Sequence, residues 1–402
     1  AYQGELFMKK ITITGVGMNA QTLTKEALSA IESADILMGA RRMTDMFSHL
    51  GKKTFHAYSP KDVKAVIGKE DVLRFAVLVS GDTGFYSAAE GLVNTLDGYD
   101  VTVLPGISSL NYFFSKLKRP WQDAKLISCH GRECNLVDTV RRNRFTFALT
   151  GGNMSELCNQ LLQAGFGHLS ATVGENLGTE QEKIRCFSIS QWLETETSAL
   201  AVMLIENPCF DHSTPTGIPD DRFVRSAIPM TKAEIRAVIM SKLCIQPNDI
   251  CYDIGCGTGS VTVEIALSAY GGHVYAVDRS PEAVELTKAN CEKFHIGNVS
   301  AFMGTAPDIM EALPAPDAAF IGGSGGNMED IIACVMAKNP NARIIVSAIA
   351  MESAMAAIST FEKQGISAEI VQLCVSRSKQ AGGLHMMTAL NPIFIISGGS
   401  NG

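Results

Sequence analysis

The sequence is poor in charge and in aromatic side chains. Of its 402 residues, 19% are Asp, Glu, Lys or Arg and 7% are Phe, Trp or Tyr, against 46% hydrophobic. That balance excludes disorder over any large part of the chain. The formal net charge of −7 excludes polyanion binding through bulk electrostatics and leaves room only for a local basic pocket. No apolar run reaches the roughly 18 residues that a bilayer-spanning helix needs. The N-terminal AYQGELFMKKITITG has no apolar core ahead of a small-residue cleavage site, so no secretory signal is read there. A cytoplasmic location follows as the expectation, with neither nucleic acid nor membrane as partner. Met8, followed by Lys9 and Lys10, reads as a natural start, with residues 1–7 either an expression remnant or a short native tail.

Metal and nucleophile signatures are also missing. The eleven cysteines are odd in number and follow no frame, as expected of reduced core thiols. The cluster Cys129-His130-Gly131-Arg132-Glu133-Cys134 lacks a second ligand pair at metal spacing, so no metal is expected. The eight histidines are dispersed, and none sits in a triad-like context. Chemistry that depends on positioning suits such a chain better than acid–base or covalent catalysis.

What is present is α/β punctuation, twice over. A chain of this length fits two domains of roughly 200 residues. The Pro-rich stretch PCFDHSTPTGIPDDRF separates them, giving expected bounds of 8–207, a linker at 208–222, and 223–402. In the first half KKITITGVG is a strand entering a glycine turn. LTKEALSAIESADILMG is a helix with Leu23, Ala27, Ile31 and Ala34 on one face. RFAVLVSGDTG and YDVTVLPGISS repeat the strand–turn–helix scheme, with Ser108 and Ser109 placed to cap a helix. FTFALTGG, ATVGENLG and ALAVMLIEN supply later strands, whereas Arg141-Arg142-Asn143-Arg144 reads as a solvated helix end. The second half opens on the helix MTKAEIRAVIMSKL, with Thr231 as cap and Glu234 at capping-box spacing. Strands DICYDIG, HVYAVD, VSAFMG, DAAFIGG, ARIIVSAI, AEIVQLCVSR and PIFIISG follow. Ligands are expected at the carboxyl ends of these strands.

The loop Gly255-Cys256-Gly257-Thr258-Gly259 joins a buried strand to a helix, where glycines allow a ligand to approach backbone N–H groups. Asp278 ends the next strand about 20 residues on, the place for a carboxylate that accepts ribose hydroxyls. The glycines follow G-x-G-x-G, not the dinucleotide G-x-G-x-x-G, and Asp253 lies two residues ahead of them.

That arrangement resembles the nucleotide loop of the Rossmann-like, class I S-adenosylmethionine-dependent methyltransferases. The resemblance implies a cofactor site at Thr231, Asp253, Gly255, Gly257, Thr258, Gly259 and Asp278, with Thr305 and Ala306 where the class contacts adenine. After the DAAFI strand there is no Asn/Asp-Pro-Pro-Tyr/Phe target motif but a glycine-rich loop, Gly322-Gly323-Ser324-Gly325-Gly326, open to a large flat substrate. With MTKAEIR before the first strand and VSRSKQAGGLHMMTALNPIFII at the end, residues 221–397 resemble the C15-methylating, decarboxylating enzymes of corrin-ring (cobalamin) biosynthesis. Lys232, Glu234 and Arg236 could reach substrate from that first helix, Glu234 and Arg236 being equally placed to be surface residues.

The first half carries different motifs. Gly15-Val16-Gly17, Ser80-Gly81-Asp82-Thr83-Gly84-Phe85-Tyr86, Pro105-Gly106-Ile107-Ser108-Ser109 and Gly174-Glu175-Asn176-Leu177-Gly178 resemble, in order, those of the tetrapyrrole methylases, whose fold is two α/β lobes with the cofactor between them. Gly39-Ala40-Arg41-Arg42, Arg119-Pro120-Trp121-Gln122-Asp123-Ala124 and Cys129-His130-Gly131-Arg132 bring it nearest to the precorrin C5-methyltransferases. The resemblance implies cofactor contacts from Gly15, Gly17, Gly81, Asp82, Thr83 and Phe85, with Ser108 and Ser109 near its carboxylate or adenosine and Leu149 near its adenine. Arg41, Arg42, His130 and Arg132 are implied for substrate carboxylates, and Lys232, Arg132 and His130 are the candidates for an assisting catalytic role. Met18-Asn19 and Thr83 stand where that family usually has proline.

Together the resemblances imply a bifunctional enzyme with two S-adenosylmethionine sites. It would methylate carbons 5 and 15 of a precorrin or cobalt-precorrin and release the C12 acetate carboxyl. The family's C15 enzymes imply self-association. A nucleic-acid or protein methyltransferase with an accessory N-terminal domain is the alternative, and it should carry a basic surface or a target-base motif.

Overall fold

Runs such as ITITG and AVLV are apolar at nearly every position, which suits strands buried on both faces of a parallel sheet. In the computed structural model, which describes residues 8–129 and 135–399, they become such strands. His130 and Arg132 lie outside the described residues. The chain divides into two compact units, 8–129 with 145–157 and 169–206, and 135–144 with 158–168 and 207–399.

The first lobe runs β1 (Lys10–Gly15), α1 (Lys25–Ser33), β2 (Ile36–Gly39), α2 (Arg41–Asp45), β3 (Lys53–Phe55), α3 (Pro60–Lys69), β4 (Arg74–Val79), α4 (Ala89–Thr95), β5 (Asp100–Leu104). Its sheet has the order β3-β2-β4-β1-β5, parallel throughout. Thr24 caps α1 by accepting from the Ala27 N–H, and Ala27 and Ile31 are buried as their spacing predicts. From β5 the chain enters α5 (Ser109–Lys116), whose N-cap is Ser108, its hydroxyl accepting from Asn111 N–H.

The second lobe comprises β6 (Ala124–Ser128), α6 (Leu136–Arg142), β7 (Phe145–Leu149), α7 (Met154–Gln163), β8 (Ser170–Glu175), β9 (Lys183–Ser188), α8 (Ile189–Leu193) and β10 (Ala201–Glu206). Its sheet, β6-β7-β10-β8-β9, is parallel only between β6 and β7. The expectation of a solvated helix end at Arg141 is corrected. Arg141 is buried, and its guanidinium donates to Asp138 Oδ1 from Nη2 at 2.8 Å and from Nε at 3.1 Å.

The C-terminal sheet is built from α9 (Ala233–Leu243), β11 (Ile250–Ile254), α10 (Ser260–Ser268), β12 (His273–Asp278), α11 (Pro281–Lys293), β13 (Val299–Met303), β14 (Ala318–Ile321), α12 (Met328–Lys338), β15 (Arg343–Ala348), α13 (Met351–Lys363), β16 (Glu369–Leu373) and, after a hairpin, β19 (Ile393–Gly398). The order β13-β12-β11-β14-β15-β19-β16 is parallel up to β15, and β19 is antiparallel to both neighbours. The chain reverses direction across the sheet between β11 and β14, the topological switch point where such folds bind ligands. The hairpin, β17 (Ser376–Ala381) with β18 (Leu384–Ala389), stands apart from this sheet and was not anticipated as a strand pair.

A second correction concerns α9. Its N-cap is Lys232, not Thr231, and the cap makes no side-chain bond. Instead Asp220 Oδ1 accepts from the Ala233 N–H at 3.0 Å. Arg236 is neither surface nor substrate-facing but fully buried, bonded to Glu264 Oε1 at 2.8 Å, to Asp220 Oδ1 at 3.1 Å and to the carbonyls of Thr231 and Ile218. Glu264, equally buried, also accepts from the N–H groups of Gly217 and Ile218 at 2.8 and 2.9 Å. Glu234 is exposed and pairs with Arg377.

Removing Arg236 leaves the fully buried Glu264 without a cation. Arg236→Met is therefore expected to destabilise the C-terminal unit by about 3–5 kcal/mol, read as a lowered urea midpoint for its unfolding transition. A wild-type midpoint would refute it. Asp253 lies at the end of β11, fully buried, with one carboxylate oxygen accepting from Thr262 Oγ1 and the other unpartnered. Burial pushes its pKa from 3.8 up to about 7, opposed by the Thr262 hydrogen bond and assisted by Asp278. A raised folded-state pKa adds stability that is complete below the unfolded value and lost as pH rises through about 7. Asp253→Asn copies the neutral form. Its stability relative to wild type should therefore improve from pH 5 to pH 8, by on the order of a few kcal/mol at most. A difference that does not change with pH would count against a buried neutral carboxyl.

Candidate functional site

Each unit has one cavity at the carboxyl ends of its strands, and glycine shapes both. In the first unit the turns after β1, β4 and β5 converge. An added Cβ at Gly15 would lie 2.6 Å from the Gly81 carbonyl oxygen, and one at Gly106 would lie 2.2 Å from the same atom. Gly17 and Gly81 exchange backbone hydrogen bonds at 3.1 and 3.2 Å. Gly15 and Gly17 thus permit the crossing of turns and stand outside the cavity lining.

That first cavity, about 690 Å³, is lined by Gly81, Asp82, Phe85, Ser108, Ser109 and Leu149 of the expected cofactor residues, and by Arg42. It lies between the two lobes of the unit, with Met18 on one side and Gly174, Asn176 and Leu177 on the other. Asp82 fixes its own turn: Oδ1 accepts from Gly84 N–H at 2.8 Å and Oδ2 from Gly106 N–H at 3.0 Å. Thr83 is not in the lining, and Arg41 points elsewhere, with its side chain 81% exposed and 3.8 Å from Asp45. Arg42 donates to Ser80 Oγ at 3.1 Å at the cavity wall. Where the family has proline, Asn19 makes a different set of bonds. Its side chain caps the turn by accepting from Gln21 and Thr22 N–H groups, and its Nδ2 donates to the Gly178 carbonyl at 2.7 Å, tying one lobe to the other.

The second cavity, about 550 Å³, sits at the switch point. Gly255, Gly257 and Thr258 line it, with Thr231 and Lys232 from the start of α9 and Gly322, Gly323 and Ser324 from the loop after β14. Gly255 (φ +75°) must be glycine, since a Cβ there would lie 2.6 Å from Gly323 N. Gly259 is required for another reason. A Cβ there would meet Thr287 of α11 at 2.8 Å, so this glycine lets two helices close up. Asp253, Gly259, Asp278, Thr305, Ala306, Gly325 and Gly326 are outside the lining. Asp278 lies one hydrogen bond away, Oδ2 accepting from the Gly257 N–H at 3.0 Å and Oδ1 from Ser280 N–H at 2.9 Å. Asp253 lies beneath the loop and holds α10 through Thr262, so its contribution is to the loop's seat.

Both cavities fit a nucleoside cofactor. In the second, the N-cap of α10 is Gly259 at φ +72° with no side-chain cap, and Ser260 of the helix's first turn lines the cavity. Ile321, Met328, Ala348 and Ile393 add an apolar surface to the cavity wall. Sequence reasoning missed the walls supplied by Ser347–Ala350 and by Leu390 and Asn391, which carry no local motif and arrive only through sheet order. Among the described residues there is no group of three or more His, Cys, Asp or Glu able to hold a metal, and no helix long and apolar enough to cross a membrane.

Residues 222–398 match the precorrin methyltransferase domain, and residues 10–191 match the tetrapyrrole (corrin/porphyrin) methylases. A Pyrobaculum calidifontis protein named "Probable cobalt-precorrin-6B C(15)-methyltransferase (decarboxylating)" is 41% identical over 189 residues, which are 46% of this chain and 96% of that protein. A Methanocaldococcus jannaschii protein of the same name is 41% identical over 180 residues, 44% of this chain and 96% of its own. A solved precorrin-6Y C5,15-methyltransferase from Geobacter metallireducens is 33% identical, with 46% of this chain and 97% of that one covered and a TM-score of 0.44. The chain belongs to the precorrin methyltransferase family of S-adenosylmethionine-dependent C-methyltransferases.

Proposed function

We propose that this chain is a bifunctional enzyme of corrin-ring biosynthesis that binds S-adenosylmethionine once in each half. The N-terminal domain, 8–207, methylates carbon 5 of a precorrin macrocycle. A linker at 208–222 joins it to the C-terminal domain, 223–402, which methylates carbon 15 and removes the C12 acetate carboxyl. The observation that carries this reading is a separate cavity at the strand ends of each unit, each lined by the glycine turns that its own fold uses for a nucleoside.

The cofactor, when bound, supplies a methyl group made electrophilic by its sulfonium. In the C-terminal half, the Gly255–Thr258 loop lets the cofactor approach the backbone closely beside the first turn of α10. The Asp278 carboxylate keeps free lone pairs for ribose hydroxyls, since each oxygen has two and one is used by the backbone. Thr231 closes one wall, and Thr305 and Ala306 border the adenine. The Gly322–Gly326 loop admits the flat macrocycle. In the N-terminal half, Gly81, Asp82, Phe85, Ser108, Ser109 and Leu149 serve the cofactor, and Arg42 serves substrate carboxylates. An electron-rich ring carbon needs no general base to accept a methyl group, only alignment and exclusion of water. A C-terminal cavity without Asp, Glu or His in its lining supports that mode of action. Self-association is part of the proposal.

Calorimetric titration with S-adenosylhomocysteine should give a stoichiometry of two per chain; a value of one would remove the two-site reading. The sites should also be separable. Asp278→Ala is expected to abolish methyl transfer to carbon 15 and spare carbon 5, and Asp82→Ala to do the reverse. Mass spectrometry of products made from precorrin-6Y or its cobalt form checks both, and loss of both methyls in either variant would refute independent sites.

A further inference from the structure

The C-terminal cavity is nearly devoid of charge. Lys232 is the one Lys, Arg, His, Asp or Glu among the described residues that line it. The ion pairs around it explain why this cation stays available. Arg236, one helical turn on, is locked to Glu264 and Asp220, and Arg377 is locked to Asp220 and Glu234. The hydrogen bonds that Arg377 donates to Glu234 and then to Asp220 raise its pKa, so that guanidinium stays charged and committed. Three carboxylates near the start of α9 are thus taken up by arginines. Lys232 itself makes no ion pair or side-chain hydrogen bond with a described residue.

The substrate class proposed above carries several carboxylates around a flat ring, and one cation can hold one of them. Which one is a matter of charge flow. Decarboxylation breaks the bond between the carboxyl carbon and its CH₂ and releases CO₂. The electron pair stays on that CH₂, conjugated into the ring, until solvent supplies a proton and it becomes CH₃. Negative charge therefore leaves the carboxylate in the transition state. An ammonium pinned to that carboxylate stabilises the starting state more than the transition state and slows the step. A pocket without charge or water does the opposite.

We propose that Lys232 anchors a side-chain carboxylate that the substrate keeps, and so turns the carboxylate that leaves toward the uncharged part of the cavity formed by Ile321, Met328, Ala348 and Ile393. Lys232 is then a positioning residue for decarboxylation. This assignment rests on the functional reading above.

The test is steady-state turnover of cobalt-precorrin-6B with S-adenosylmethionine by the full-length protein, counting CO₂ released and methyl groups added at carbon 15. Lys232→Met and Lys232→Gln should each raise KM about tenfold to a hundredfold, the loss of one charge-assisted contact. CO₂ released per methyl should fall, because the departing carboxylate loses its orientation, S-adenosylhomocysteine affinity should change less than about threefold, and Lys232→Arg should recover most of the KM. An unchanged KM in both neutral variants overturns the proposal. So does an unchanged or raised CO₂ per methyl, because Lys232 would then leave the departing group unoriented or would itself hold it, and so does loss of cofactor affinity, which would make it a cofactor residue. Wild-type protein that neither methylates nor releases CO₂ would overturn the functional reading itself, and this inference with it.

Discussion

At Gly255 the backbone runs so close to Gly323 that a methyl group added there would lie 2.6 Å from an amide nitrogen. The two residues follow β11 and β14, the neighbouring strands at which the chain changes its direction across the sheet. Since β11 passes to a helix and β14 to a glycine-rich rim, the contact is the floor from which both loops diverge, and the space between them is the cavity. Any side chain at Gly255 would separate the strand ends and open the floor. The first unit solves the same problem with three strands: the turns after β1, β4 and β5 meet at Gly15, Gly81 and Gly106 with separations that exclude a Cβ at Gly15 or Gly106. Two unrelated sheets thus reach one solution, in which backbone packed against backbone leaves side-chain space free for a ligand.

Around the C-terminal floor, charge is distributed with economy. The buried Arg236 and Glu264 use each other, Asp220 and the main chain of 217–218 to satisfy their hydrogen-bonding capacity, as buried ions must. Asp220 feels burial, which raises its pKa, but the hydrogen bonds and charges of Arg377 and Arg236 outweigh it and hold it low. Asp253 has no such partner and drifts upward to about 7. Asp220, paired with two arginines, is held low, and the carboxylate beneath the nucleotide loop tends toward neutrality. The cavity above is left with a single lysine in its lining.

Much of this was legible in the sequence because it is local. Strand–turn–helix periodicity identified the strands ending at Gly15, Val79, Ile254, Asp278 and Ile321, and Ser108 was readable as a cap from the residues beside it. The glycine turns pointed to the cavities, since only glycine suits those backbone angles and separations. What escaped is non-local. Thr231 looks like a cap by spacing, yet Asp220, thirteen residues ahead of Ala233, takes the N–H. Arg236 and Arg141 read as surface cations because a sequence shows charge but not the carboxylate that will neutralise it on burial. Met18-Asn19 stands where the family usually has proline, and the Asn19 side chain bonds to the turn and to Gly178 at once. Nothing local could reveal that bond, which joins residues 159 positions apart.

The anchoring of residues 217–218 bears on where this chain can be divided. The family match begins at residue 222, and by sequence the linker extends to that point. Yet the Gly217 and Ile218 N–H groups fill Glu264, the Ile218 carbonyl receives Arg236, and the Ile218 side chain is buried with Phe223, Met230, Val263 and Leu267. An independent gene for the C-terminal half must therefore start upstream of Gly217. A reading frame opened at 222 would strip two hydrogen bonds from a carboxylate with no exposed surface and remove Asp220 as well. Buried hydrogen bonding thus makes Gly217 and Ile218 part of the C-terminal unit, several residues ahead of the point where sequence similarity alone would draw the line.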